Sequence, residues 1–181
     1  MLAYLFWHWA ERRVDRDGYE ALLRAFHARL REASLDGFDD STTFRVHALP
    51  WIAAGGDAYE DWYLLRGSFA LDGLNEAAVS GERRGLHEEI VRQVSAGTGG
   101  LYRLRHGNAS LHSGVAHWFS KPAGVSYAAL DAQLEPLVAH SGAGLWQRQM
   151  ALGLAPEFCL IADTTVPLGD LSPILAIHEA I

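Results

Sequence analysis

The sequence predicts an α+β protein built from two β-α-β-β-α-β halves in one chain. Three observations carry that expectation. The chain opens on an aromatic strand with His-Trp in it, a basic turn and a Tyr-led helix, MLAYLFWHWAERRVDRDGYEALL, and GVAHWFSKPAGVSYAALDAQL echoes that order in its second half. Between the two, apolar spacing switches between periods of 2 and 3.6 in the order of a split βαβ motif. Of 181 residues, 49% are hydrophobic and 20% charged, enough to bury a substantial core in one compact unit.

The elements follow in chain order. Residues 2–9 read as the first strand. Asp17 is expected to cap the next helix, with Glu20 three residues on as in a capping box. Tyr19, Leu22, Leu23, Phe26 and Leu30 give that helix an apolar stripe to about Ala33. Residues 36–40 read as a loop. TTFRVHAL, at 42–49, is a half-polar strand stopped by Pro50, and DWYLLRG, at 61–67, is the next strand. LDGLNEAAVSG reads as a short helical turn, RRGLHEEIVRQVSAG as a longer helix ending at Gly97, and GGLYRLRHG, at 99–107, as a strand.

This order over residues 1–107 is ferredoxin-like. Residues 108–114 are the expected linker, and a second ferredoxin-like half, truncated, occupies 115–181. It restarts with a strand at 115–120, a helix at about 126–140 and strands at 145–151 and 157–163. Pro136 is expected to kink or shorten its helix. PILAIHEAI reads as a terminal strand, with a short helix from Ser172-Pro173 as the alternative. Aligning His8-Trp9 on His117-Trp118 sets Tyr19 one residue from register with Tyr127.

A ferredoxin-like unit covers one sheet face with helices and leaves the other bare. Both sides of the first strand are too aromatic to face water, so two antiparallel sheets are expected to pack face to face. The tandem order, with FWHW echoed in AHWF, resembles the dimeric α/β-barrel superfamily, here fused as a pseudo-dimer. The resemblance covers nearly the whole chain, and the missing second helix of the second half departs from it. It implies a substrate or haem pocket between the sheets, as in monooxygenases, haem-degrading enzymes, muconolactone isomerases and chlorite-dismutase relatives.

Strand parity suggests what lines that space. Taking Phe44, Val46 and Ala48 as helix-facing leaves Thr43, Arg45 and His47 inside. Taking Tyr102 and Leu104 as helix-facing leaves Leu101, Arg103 and Arg105 inside, and Tyr4, Phe6 and His8 complete the lining. Such a surface suits a small, partly apolar, anionic or carbonyl ligand. His8 and His117 are the candidate catalytic bases; Tyr4, Phe6, Arg45, His47, Arg103 and Arg105 are the candidate ligand-binding residues. Arg103 or Arg105 beside His8 would disfavour imidazolium and keep a neutral base. On the competing reading both histidines are packed, and the protein is a non-catalytic structural or ligand-binding one.

Other chemistries have less support. A net charge of -7, from 22 acids and 15 bases, argues against nucleic-acid or anionic-membrane partners. The single Cys159, in EFCLIAD, forbids an intrachain disulfide and reads as an inert buried thiol. The apolar first residues lack a positive leader, so a cytoplasmic monomer or homodimer is expected. His106, His112 and His117 lack a metal-ligand spacing, and no metal is assigned. No cofactor is assigned either; haem on His8, His117 or His140 rests on the fold analogy alone. There is no G-x-S-x-G elbow, and GTGG at 97–100 reads as a helix end and turn. Glu60-Asp61 reads as a solvated strand edge, Glu88-Glu89 as a polar helix face, and one of the pairs Trp146/Arg148 and Gln147/Gln149 as facing the inter-sheet space.

Overall fold

Period-2 and period-3.6 segments give the element order β1 (Leu2–Ala10), α1 (Arg16–Arg31), β2 (Phe38–Val46), β3 (Ala58–Leu65), α2 (Ala70–Ala78), α3 (Gly81–Gln93) and β4 (Val94–Gly107). Then come β5 (Gly114–Phe119), α4 (Tyr127–Ser141), β6 (Gly144–Ala151), β7 (Phe158–Ala162) and β8 (Ile174–Ala180). The structure, a computed structural model, describes residues 1–47, 49–52, 57–151 and 155–181. No helix among the described residues is long and apolar enough to cross a membrane.

The strands form one closed antiparallel barrel in the order β1-β3-β2-β8-β5-β7-β6-β4. The expected face-to-face sheets are therefore joined edge to edge. β2 meets β8 at Phe44↔Ala180 and Arg45↔Glu179, and β4 meets β6 from Gly100 to Gly107. Closure pairs edge N–H and C=O groups that two open sheets would leave bare.

Several element ends differ from expectation for local reasons. Asp15, not Asp17, caps α1, accepting the Gly18 N–H at 2.8 Å. GTGG is not a turn. It lies inside β4 opposite β1, with Gly97 across from His8 and Gly99 across from Phe6. A Cβ on Gly97 would come within 2.5 Å of the Phe6 ring, so glycine lets that ring lie across the neighbouring strand. α4 runs unbroken through Pro136 and ends on Gly142 at φ 65°. The C-terminal segment is a strand. Where a further helix was missing from the pattern, Val166, Leu168 and Leu171 bury their side chains with Phe119, Phe158 and Leu160.

The barrel interior is a tryptophan core. Trp7, Trp62, Trp118 and Trp146 are fully buried there with Phe44 and Tyr102. Trp7 and Trp118 meet edge to face with centroids 5.5 Å apart, and Trp62 and Trp146 at 5.4 Å. Glu60, 0% exposed, sits among them, accepting the Trp7 indole N–H at 2.6 Å and that of Trp62 at 2.5 Å. His178 Nε2 lies 3.0 Å from Oε1, the oxygen that Trp62 bonds. Cys159 is also buried there, and burial pushes its thiol well up.

The interior reverses the expected parity. Ala3, Leu5, Trp7, Phe44, Val46 and Tyr102 point in, which turns Tyr4, Phe6, His8, Arg45, Arg103 and Arg105 outward. Ala48 lies outside the described residues. The physical reason is volume: eight strands enclose a space that side chains must fill, and the tryptophans fill it.

Candidate functional site

The outward face of β1, β2 and β3, beneath α1, gathers the buried polar side chains. Register sets Phe6, Asp61 and Thr43 in one cross-strand row and His8, Tyr59 and Arg45 in the next. His27 reaches the same place from α1.

Asp61 is 4% exposed and is held from both sides. His8 Nε2 lies 3.3 Å from Oδ2, His27 Nε2 lies 3.4 Å from Oδ1, and the Tyr63 hydroxyl donates to Oδ2 at 3.1 Å. Burial works to raise the Asp61 pKa, but the two imidazoles outweigh it and hold the carboxyl well below its usual range. Burial, reinforced by Asp61, pushes the Tyr63 and Tyr19 phenols up. The other ring nitrogens are occupied: His8 Nδ1 bonds the Tyr19 hydroxyl at 2.8 Å, and His27 Nδ1 bonds Ser41 Oγ at 2.9 Å. Neither Nε2 has an aligned hydrogen-bond partner, although each lies within 3.4 Å of an Asp61 oxygen.

Two cavities flank this cluster. The first, about 640 Å³, lies between the sheet and the helices. Tyr4, Phe6, His8, Asp61 and Tyr63 form its floor, and Leu23, Phe26, Leu74, His87 and Ile90 are among its walls. No Lys or Arg is among its described lining residues. The second, about 740 Å³, is polar and is bounded by Glu11, Arg12, Arg16, Asp57, Tyr19 and Tyr59 among others.

The residues singled out from sequence separate into two groups. Tyr4, Phe6 and His8 come together on the first cavity, on the helix side of the sheet instead of between sheets. The arginines do not join them. Arg45 pairs with Glu20 at 2.9 Å and with Glu179. Arg105 pairs with Asp131 and Gln147, and Arg103 is exposed near Gln149. His47 is exposed, 3.2 Å from Asp57. The charge beside His8 is thus an acid, because β1–β4 register sets Arg103 opposite Leu2 and Gly97 opposite His8.

His117 occupies a different environment. Its Nδ1–H donates to the Leu160 carbonyl at 3.2 Å, and its Nε2 accepts the Val166 N–H at 3.0 Å. Burial lowers its pKa, with backbone hydrogen bonds opposing, and both nitrogens are fixed in the neutral form.

Tyr63, His27 and Ser41 were not singled out from the sequence, and Glu60-Asp61, weighed as an acid/base pair but read as a solvated strand edge, is buried in the middle of β3. The available signal was AYEDWYLL, an acid pair inside an apolar strand. Alternation must turn one acid to each face, and both faces are buried here.

Among the described residues no group of three His, Cys, Asp or Glu side chains is arranged to hold a metal ion. His106 faces Asp131 at 3.5 Å and His112 faces Asp163 at 3.2 Å. The histidines suggested for haem do not fit it. His8 Nε2 is buried 3.3 Å from the Asp61 carboxylate, both His117 nitrogens are taken, His140 is exposed and bonded to the Pro136 carbonyl, and no Lys or Arg is among the described lining residues to meet propionates.

No protein-family model matches the sequence, and no curated protein matches it. Among the solved structures that match the fold, two do so over nearly its whole length. An anthrone oxidase-like protein aligns with a TM-score of 0.55 at 13% identity, covering 99% of this chain and 91% of its own. A candidate monooxygenase from Lactobacillus acidophilus NCFM aligns with a TM-score of 0.59 at 9% identity, covering 99% and 93%. Both are dimeric α/β-barrel-type folds, and at these identities the likeness is one of fold.

Proposed function

We propose that the chain binds a small, largely apolar carbonyl or hydroxyl compound in the first cavity and moves a proton from it at His8. The observation that carries this reading is His8, a residue of the cavity floor whose buried Nε2 has no aligned partner and lies 3.3 Å from Asp61. In the tautomer whose Nδ1–H donates to Tyr19, Nε2 carries the lone pair. Accepting a proton there makes an imidazolium that the adjacent carboxylate stabilises. Tyr63, bonded to Asp61, keeps that carboxylate in place. A lining without Lys or Arg favours an uncharged ligand over the anionic one the sequence suggested. One structural neighbour is named anthrone oxidase-like, after an aromatic ketone, a class of compound from which a base can draw a proton.

The same proposal includes the architecture. The order β4-β1-β3-β2 in residues 1–107 repeats as β8-β5-β7-β6 in 115–181, which supports two fused ferredoxin-like halves joined by 108–114.

The test uses 2-tetralone, an aromatic ketone with acidic α-hydrogens. The wild-type protein is expected to bind it and to speed deuterium uptake from heavy water, and His8→Gln to lower that rate about 100-fold with binding retained. Binding without any catalysed exchange favours a ligand-binding protein, as does the near-complete burial of His8.

A further inference from the structure

His8 stands between the two cavities: it lines the first, and its Nδ1 partner Tyr19 lines the second. We propose that Tyr19 is a proton relay through which His8 exchanges protons with the second cavity, on the side away from the ligand.

The argument starts from access. A ligand over His8 Nε2 closes the first cavity to water at the moment the base must be reset. Nδ1 is then the one nitrogen with another outlet. Its partner is a hydroxyl, which can accept from an N–H and donate onward at the same time. The contrast with His117 is direct. There the partners are a backbone carbonyl and a backbone amide, which fix a tautomer and pass nothing on. The second cavity is suited to receive the proton: Glu11, Arg12, Arg16 and Asp57 make its wall polar and open to water.

The protons balance. Nε2 takes one from the ligand. The imidazolium gives its Nδ1–H to the Tyr19 oxygen while the Tyr19 hydroxyl proton leaves to water in the second cavity. His8 is left neutral, protonated on Nε2, and departure of the ligand lets cavity water restore the starting tautomer. Tyr19 touches no ligand; it acts through His8. The inference rests on the reading of His8 as the base.

The experiment follows exchange of the His8 ring N–H with solvent at pH 7 by ¹⁵N NMR, with histidine labelled. Tyr19→Phe removes one oxygen and keeps the ring. It is expected to slow exchange about tenfold, while Tyr59→Phe, which removes the neighbouring hydroxyl bonded to Glu20, leaves it unchanged. A purely structural Tyr19 would loosen the site when truncated and make exchange faster. Unchanged or faster exchange in Tyr19→Phe, or equal slowing in Tyr59→Phe, overturns the relay. 2-Tetralone separates the two claims. Slowed His8 exchange in a protein that never labels the ketone sinks the catalytic base and keeps the relay; labelling that Tyr19→Phe leaves intact does the reverse.

Discussion

At the scale of single residues, Asp61 organises the site, because a buried carboxylate must be met on every side. Removing its charge leaves two imidazoles and a phenol without their common partner. Asp61→Asn is expected to lower unfolding free energy by about 3 kcal/mol in urea denaturation at pH 7. The pH dependence has a definite sign. A carboxyl held low in the folded state contributes stability that is fully present above its unfolded pKa of about 4 and is lost as pH falls through the folded value. Denaturation from pH 6 down to 3 should therefore show a steeper loss in wild type than in Asp61→Asn. His8 was legible from sequence as a strand histidine, but its partner was not. Asp61 stands 53 positions away and reads locally as a strand edge, and only the β1–β3 register brings the two together.

At the scale of elements, legibility followed one-sidedness. α1 has a single apolar stripe, so Tyr19, Leu23, Phe26 and Leu30 could be read and are buried. β1 is aromatic on both faces, and alternation alone could not say which face is inward; in β2 and β4 the apolar residues were taken as helix-facing, whereas they fill the barrel, and β1 was oriented to match them. The GTGG segment misled because its glycines serve a close ring approach instead of a turn. α3 is the weakly anchored element over the first cavity, with Ile90 its buried residue. Ile90→Ala is expected to raise amide exchange across α3 about tenfold or more while barrel amides stay protected, measured by hydrogen-exchange mass spectrometry.

At the scale of the whole molecule, the tryptophan interior is shared. Trp7 and Trp62 come from the first four strands, and Trp118 and Trp146 from the last four. Residues 1–107 produced alone would expose their half of that interior, so this piece is expected to self-associate in size-exclusion chromatography and to be rescued as a 1:1 complex when residues 108–181 are supplied. A stable, monomeric 1–107 would show that the interior is not needed by both halves. The element order was readable because it is written locally; closure was not, because the β2–β8 and β4–β6 pairings join strands far apart in the chain. The backbone lock on His117 has a consequence for stoichiometry and descent. On the proposed duplication, His117 stands where His8 does, yet its ring is fastened to the chain itself and the segment 163–171 fills the space above it. One ligand per chain is then the rule. On that same reading the second copy would serve as scaffolding, the half most free to drift or to be rebuilt with a helix into a second working chamber.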